Sequence, residues 1–250
     1  MTTVSKATGF TTFSDVLAAE PRPDATQPQG KRNAYATRFA NRLAVLFANS
    51  LRDTFPGVLP RPDGSGQESR ARTAKGFKKL DVNYSTPELG LGLGVSLKHI
   101  GYRDAETKRY SKNFTRNDNE LRAEAMDYHE RQPYAVMIGV LFLPYDAADD
   151  CTGGKHPSSF GAAVKHFRNR AGRDTVAAPP DLFEKFYIAL YEHSGANLGK
   201  LDFYDVDRPK PPFGRRPKAD EVVDFEQFVS EVIRVYDARN DPPFEWAVDV

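Results

Sequence analysis

A small set of acidic residues and one lysine stands out because of residue type and order. Asp81 enters a stretch in which apolar and polar residues alternate, and Lys98 lies on the apolar stretch that follows. Glu120 and Glu124 come next, in a segment rich in helix-forming residues. Carboxylates that hold a divalent cation, with a lysine nearby, are suited to hydrolysis of phosphodiester bonds. The pattern therefore predicts a metal-assisted hydrolytic site.

The two glutamates are each open to a second interpretation. Residues four apart lie on one helix face, where two like charges favour a cation near them. The pair Asn117 and Glu120, three residues apart, resembles a capping box, and in that interpretation Glu120 would only stabilise the start of the helix. Glu124 has no equally obvious structural duty and is the preferred ligand. An ion pair with Arg122 or Arg131 is its structural alternative.

Lys98 and Ser96 are predicted to point to the same face of a strand, because side chains alternate with a period of two. A lysine among apolar strand residues is rarely buried without a partner, which favours a functional role. The alternative is an edge-strand lysine whose ammonium group reaches water. Ser96 is interpreted as a small polar side chain near the metal, not as a nucleophile.

Composition restricts the class of protein. The 250 residues are 40% hydrophobic, which is enough for one substantial core. Lysine and arginine number 35 against 34 aspartates and glutamates, so the net charge of +1 does not itself indicate a polyanion partner. Any nucleic-acid surface must come from local clusters.

Cys151 is the only cysteine, which excludes an internal disulfide and fits a reducing cytoplasm. The start of the chain lacks the pattern of a signal peptide. The longest apolar run, residues 135–143, is shorter than the ~20 residues that a membrane helix needs. We therefore expect a cytoplasmic protein without a membrane span.

Hydrophobic periodicity predicts an α/β fold, because residues 134–144 form a continuous apolar run of the kind expected for a central strand buried on both faces. Residues 1–32 are expected to be flexible with a short helix near 13–19, and 33–250 to form a single domain. Its core is expected over 33–144, with a C-terminal elaboration over 145–250. Helices are predicted over 33–51, 117–131, 158–171 and 225–236, strands over 80–84, 91–100, 134–144, 186–191 and 201–206, and a loop over 60–75.

This order of elements resembles the core of the PD-(D/E)XK nuclease superfamily, the fold of many restriction endonucleases, over residues 33–144. In that family an acid, Asp81 here, precedes a strand that bears an acid, any residue and a lysine. This chain has Ser96 at the second acid and Lys98 at the lysine. Some restriction endonucleases with Ser-x-Lys supply the missing carboxylate from the following helix, where Glu120 and Glu124 stand.

The resemblance implies a restriction-endonuclease-like α/β core, with a central mixed β-sheet flanked by helices. It also implies a DNA endonuclease that depends on Mg²⁺ or Mn²⁺ and leaves 5′-phosphate ends. Asp81 and Glu124, with Glu120 as a further candidate, would bind the metal, and Lys98 would orient or activate the attacking water. Antiviral defence, with a homodimer or a partner protein, is the implied context. Ser96 also supports an alternative, a non-catalytic subunit that binds nucleic acid or a partner. RNA as substrate is less favoured, because no aromatic-rich RNP-type strand is found.

Nucleic-acid contacts are predicted for local basic clusters, since phosphates are bound by lysine and arginine without regard to base sequence. An ordinary solvated surface is the alternative for each cluster. Besides the clusters of the residues named below, a basic cluster within residues 70–79 precedes Asp81. The residues predicted to bind nucleic acid are Lys165, Arg168, Arg170, Arg215 and Arg216.

Overall fold

The structure is a computed structural model that describes residues 9–88, 90–151, 154–208 and 212–240. In these ranges the helices are α1 (Phe13–Ala18), α2 (Gln29–Leu51), α3 (Phe114–Arg131), α4 (Ser159–Phe167) and α5 (Phe225–Arg239). The strands are β1 (Ser69–Thr73), β2 (Gly76–Leu80), β3 (Val82–Thr86), β4 (Gly90–His99), β5 (Val136–Pro144), β6 (Lys185–Tyr191) and β7 (Leu201–Asp205).

Five strands form one mixed sheet in the order β3-β4-β5-β6-β7, and β1 and β2 form a separate hairpin. The pairs β4/β5 and β5/β6 are parallel, whereas β3/β4 and β6/β7 are antiparallel. Parallel neighbours need a long crossover connection. Here α3 lies in the connection from β4 to β5, and α4 in that from β5 to β6. The predicted α/β architecture is confirmed.

The central strand β5 is buried along its whole length and divides the core into two layers. Val140 and Phe142 belong to the layer that also contains residues of α2 and α5. Leu141 and Leu143 belong to the opposite layer, with residues of α3 and α4. This alternation follows from the two-residue period of a strand. It explains the continuous apolar run in the sequence, because both faces of β5 are covered by helices.

The N-terminal part of the chain differs from its prediction. Residues 1–8 lie outside the described residues, but residues 9–32 are not a flexible lead. The side chain of Thr12 caps α1, and α1 buries Phe13 and Val16 in the same core layer as α2. The predicted short helix is confirmed. Helix α2 begins at Gln29, before the predicted start at Asn33.

The predicted loop over residues 60–75 is wrong in its last part. Residues 69–73 form β1, which pairs with β2 in antiparallel register. Its sequence is polar, but Ala71 and Thr73 are buried and alternate with exposed arginines. Pairing with β2 and contact with α3 stabilise the strand, and neither is visible as an apolar run.

Among the helices of the described ranges, none combines the length and the apolar character needed to cross a bilayer.

Candidate active site

Asp81 lies at the single-residue junction between β2 and β3. Its neighbours Leu80 and Val82 are buried in opposite core layers, so the chain is anchored on both sides of the carboxylate. The Oδ2 atom of Asp81 accepts a hydrogen bond of 2.7 Å from the backbone N–H of Leu97 on β4. Asp81 is thereby held beside the middle of the strand that carries the predicted lysine.

Ser96 and Lys98 lie on one face of β4, as the period of two predicts. The buried Ser96 hydroxyl donates to Oε2 of Glu124 at 2.8 Å. The Nζ atom of Lys98 donates to Oε1 of the same carboxylate at 3.1 Å. Two side chains of one strand therefore hold both oxygens of Glu124.

Helix α3 supplies both glutamates from one face. Oε2 of Glu120 lies 3.5 Å from Nζ of Lys98, and its Oε1 accepts a hydrogen bond of 2.8 Å from Arg116. We call Asp81, Lys98, Glu120 and Glu124 the acid–lysine cluster. Lys98 is its only cation and contacts two of its three carboxylates directly.

The structural partners expected for the two glutamates are not the ones found, since Glu120 pairs with Arg116 and Glu124 with Lys98. Helix α3 begins at Phe114, so Glu120 lies in its second turn and cannot form a capping box with Asn117. Arg122 forms its ion pair with Asp181 and not with Glu124. In the described part of the chain, Arg131 makes no ion pair with Glu124 either. Arg116, one turn before Glu120, was missed, although its spacing is typical of a helical ion pair.

Burial raises the pKa of Asp81 to about 6, and the nearby negative charge of Glu124 acts in the same direction. The N–H of Leu97 and the charge of Lys98 oppose this shift only in part. For Lys98, burial works against the charged form, but Glu124 and Asp81 outweigh it and the pKa is raised. Lys98 is therefore an ammonium group at neutral pH, beside more negative charge than it can neutralise.

The cluster offers oxygen ligands, the type that Mg²⁺ and Mn²⁺ prefer. Oδ1 of Asp81 has no hydrogen-bond partner among the described residues and is available to a cation. No group of three or more histidine, cysteine, aspartate or glutamate side chains suited to a metal occurs among the described residues. Protein sites for Mg²⁺ often use only one or two carboxylates, with water and substrate phosphate as the other ligands. Asp81 and Glu124 are the candidate ligands for a site of that kind.

The basic residues predicted to bind nucleic acid lie elsewhere, and most are engaged within the protein. Arg168 donates to two backbone carbonyls. Arg170, Arg215 and Arg216 pair with carboxylates. Lys165 is exposed and makes no hydrogen bond or ion pair with its side chain in the described part. Contact of these five residues with nucleic acid stays a prediction.

A buried ionic network was missed by sequence reasoning. The side chains of Arg173 and Glu184 are 1% and 2% exposed, and they pair at 3.1 Å. Glu184 also accepts the backbone N–H of Met137 at 2.7 Å, and Nε2 of His129 lies 3.5 Å from it. His129 is thus buried in a structural network, away from the acid–lysine cluster. Nothing in the spacing of these residues along the chain indicates that they meet.

Comparisons of the chain with protein-family models, with curated proteins and with solved structures found no match. No family is assigned on that basis. The function therefore has to be inferred from the geometry of the acid–lysine cluster.

Proposed function

We propose that the protein is a metal-dependent DNA endonuclease with a restriction-endonuclease-like core. The observation that carries this proposal is the convergence of Lys98 from β4, Glu124 from α3 and Asp81 from the β2–β3 junction. The order of α2, the β3–β4 pair, α3 and β5 agrees with the core that the sequence resembles. Defence against foreign DNA, as a homodimer or with a partner protein, is the context that we propose.

In this proposal Asp81 and Glu124 hold Mg²⁺ or Mn²⁺, and Glu120 is a further candidate ligand. Ser96 occupies the position of the second acid of the motif and contributes a hydrogen bond that orients Glu124. The bound ion would supply a Lewis acid and lower the pKa of water.

Lys98 contributes positive charge beside the reacting phosphate. Because its pKa is raised, it donates hydrogen bonds and does not accept a proton at neutral pH. It can orient the attacking water or stabilise negative charge that develops on a phosphate oxygen. Arg116 and Lys98 together hold Glu120 in place on the outer side of the cluster.

A non-catalytic subunit that keeps the fold and binds nucleic acid or a partner is the second candidate. One observation favours it: both oxygens of Glu124 already have protein partners, Ser96 and Lys98. If these bonds persist in solution with a divalent cation present, Glu124 serves to neutralise Lys98 and to support the fold.

The test is cleavage of supercoiled plasmid and unmodified phage DNA by the purified protein with Mg²⁺ or Mn²⁺, beside an EDTA control. Lys98→Ala is the test variant and Lys185→Ala is its matched control. Lys185 is also a partly buried strand lysine with a carboxylate partner, at 2.8 Å from Asp205. We expect Lys98→Ala to lose roughly 100-fold or more in rate, the effect of removing one group that stabilises transition-state charge. Lys185→Ala should cut at a rate close to that of the wild type.

No metal-dependent cutting by the folded wild type would contradict the endonuclease and favour the binding subunit. Equal losses in both lysine variants, with unfolding midpoints below that of the wild type, would show that the loss comes from altered folding and not from the cluster. Thermal unfolding of each variant, followed by circular dichroism, separates these cases.

A further inference from the structure

The β1–β2 hairpin presents one face to solvent that is rich in positive charge. In its register Arg70 lies opposite Lys79, and Arg72 lies opposite Phe77. All four residues are exposed. We call them the hairpin basic face.

The positive charge of this face is largely uncompensated. Lys79 pairs with Glu68 at 2.5 Å, but Arg70 and Arg72 make no ion pair in the described part of the chain. Arg70 directly opposes Lys79, and like charges at opposing strand positions destabilise the pair. Binding of an anion would relieve that repulsion.

The face also contains an exposed aromatic ring. Phe77 is 62% exposed, and the guanidinium of Arg72 lies 5.6 Å from the centre of its ring. An arginine packed on an aromatic ring presents a flat, charged surface next to an apolar one. On a nucleic-acid backbone the guanidinium would contact a phosphate oxygen, and the ring would lie against the neighbouring sugar.

The opposite face of the hairpin packs on α3, the helix that carries Glu120 and Glu124. Nζ of Lys78 donates to the carbonyl of Ala123, which precedes Glu124, at 3.0 Å, and it pairs with Asp127 at 2.5 Å. The hydroxyl of Tyr128 donates to the carbonyl of Lys78 at 2.8 Å. Strand β2 also leads directly into Asp81. The hairpin is thus joined to the two elements that carry the candidate metal ligands.

We propose that the hairpin basic face binds the phosphodiester backbone of double-stranded DNA, on the hairpin whose strand β2 leads into Asp81. The choice of DNA rests on the proposed function, but the binding does not require catalysis. An anionic membrane is a poorer fit, because three of the four side chains are charged and only Phe77 could enter an apolar layer.

The test is binding of a fluorescent DNA duplex, measured by anisotropy in EDTA at several salt concentrations, so that cutting does not interfere. The test variant is Arg70→Gln/Arg72→Gln. The matched control is Lys31→Gln/Lys108→Gln, which also removes two positive charges from exposed side chains that have no ion pair in the described part.

We expect the test variant to bind roughly tenfold or more weakly at ~0.1 M salt. The slope of log K against log salt should fall by about 1.8, since each phosphate contact contributes about 0.9. The control should bind within about twofold of the wild type and keep its slope. Unfolding midpoints close to that of the wild type establish that both variants fold.

The proposal is overturned if the wild type does not bind the duplex, or if the test variant binds it with unchanged affinity and slope. Phosphatidylserine vesicles serve as a second probe. The proposal is also overturned if the two substitutions weaken binding to the vesicles and leave binding to the duplex unchanged. Failure of the nuclease is a separate result: a wild type that binds DNA through Arg70 and Arg72 but does not cut with Mg²⁺ supports the hairpin surface and contradicts the endonuclease.

Discussion

Replacement of Asp81 by asparagine should stabilise the folded protein at neutral and alkaline pH. In the folded state burial, and after it the charge of Glu124, raises the pKa of Asp81 from its ordinary 3.8 to about 6. The charged form is therefore disfavoured by folding. The asparagine side chain would have nearly the same shape and would keep an oxygen that accepts the N–H of Leu97, but it would carry no charge.

The magnitude follows from the shift of the pKa. A rise of about 2 pKa units corresponds to about 3 kcal/mol, since each unit is ~1.4 kcal/mol. Because the folded pKa is the higher one, the folded state binds more protons than the unfolded state between pH 3.8 and about 6. Stability therefore falls as the pH rises through that window. Above it the cost is fully present, and below it the cost is absent. Asp81→Asn should raise the free energy of unfolding by up to about 3 kcal/mol at pH 8.

Urea unfolding in EDTA at pH 8 and near pH 4 measures this effect. Asp127→Asn is a matched control of opposite sign. Although burial raises the pKa of Asp127, the hydrogen bonds and charges of Lys78 and Lys75 outweigh it and lower the pKa. That variant should lose stability at pH 8 and keep most of the loss near pH 4, because a group with a lowered folded pKa loses its contribution only as the pH falls below its ordinary pKa of 3.8.

A loss of stability in Asp81→Asn at pH 8, or a gain of equal size at both pH values, would refute the reasoning. The first result would mean that the carboxylate is satisfied in the folded state. The second would mean that the gain does not come from the charge. In either case the negative charge of Asp81 would not destabilise the folded protein, and a bound cation would have no such cost to offset.

Two further outcomes are expected. Glu184→Ala should lower the free energy of unfolding by about 3–5 kcal/mol, because it leaves Arg173 buried without its carboxylate. Urea unfolding measures this loss, and the exposed Glu226→Ala is the control. A loss no larger than that of the control would contradict the prediction. Mg²⁺ should raise the thermal unfolding midpoint of the wild type, because a ligand that binds only the folded state stabilises it. The increase should disappear in Glu124→Gln, and an increase of equal size in this variant would show that Glu124 does not bind the ion.

The sheet and the main helices were predictable because their patterns are local. A continuous apolar run marked β5, since a strand covered on both faces needs no polar side. Helix formers and apolar spacing marked α3 and α5. Strand β1 was not predictable, because its polar residues are stabilised by pairing with β2 and not by an apolar face.

For the candidate site, the sequence was sufficient to predict which side chains share a face of a strand or of a helix. Ser96 and Lys98 share a face because side chains of a strand alternate, and Glu120 and Glu124 share one because a helix repeats after 3.6 residues. The hydrogen bond of Ser96 to Glu124 joins these two local patterns, and only the packing of α3 against β4 brings it about.

The electrostatic state of the site is a property of the folded chain. The raised pKa of Asp81 depends on burial and on its distance from Glu124, which is remote in sequence. The same holds for Arg170 and Arg216, whose positive charges meet carboxylates that no spacing rule connects with them. Burial and charge interactions depend on distances in three dimensions. The order of residues was therefore enough to predict the members of the acid–lysine cluster, but not their pKa shifts or their ion pairs.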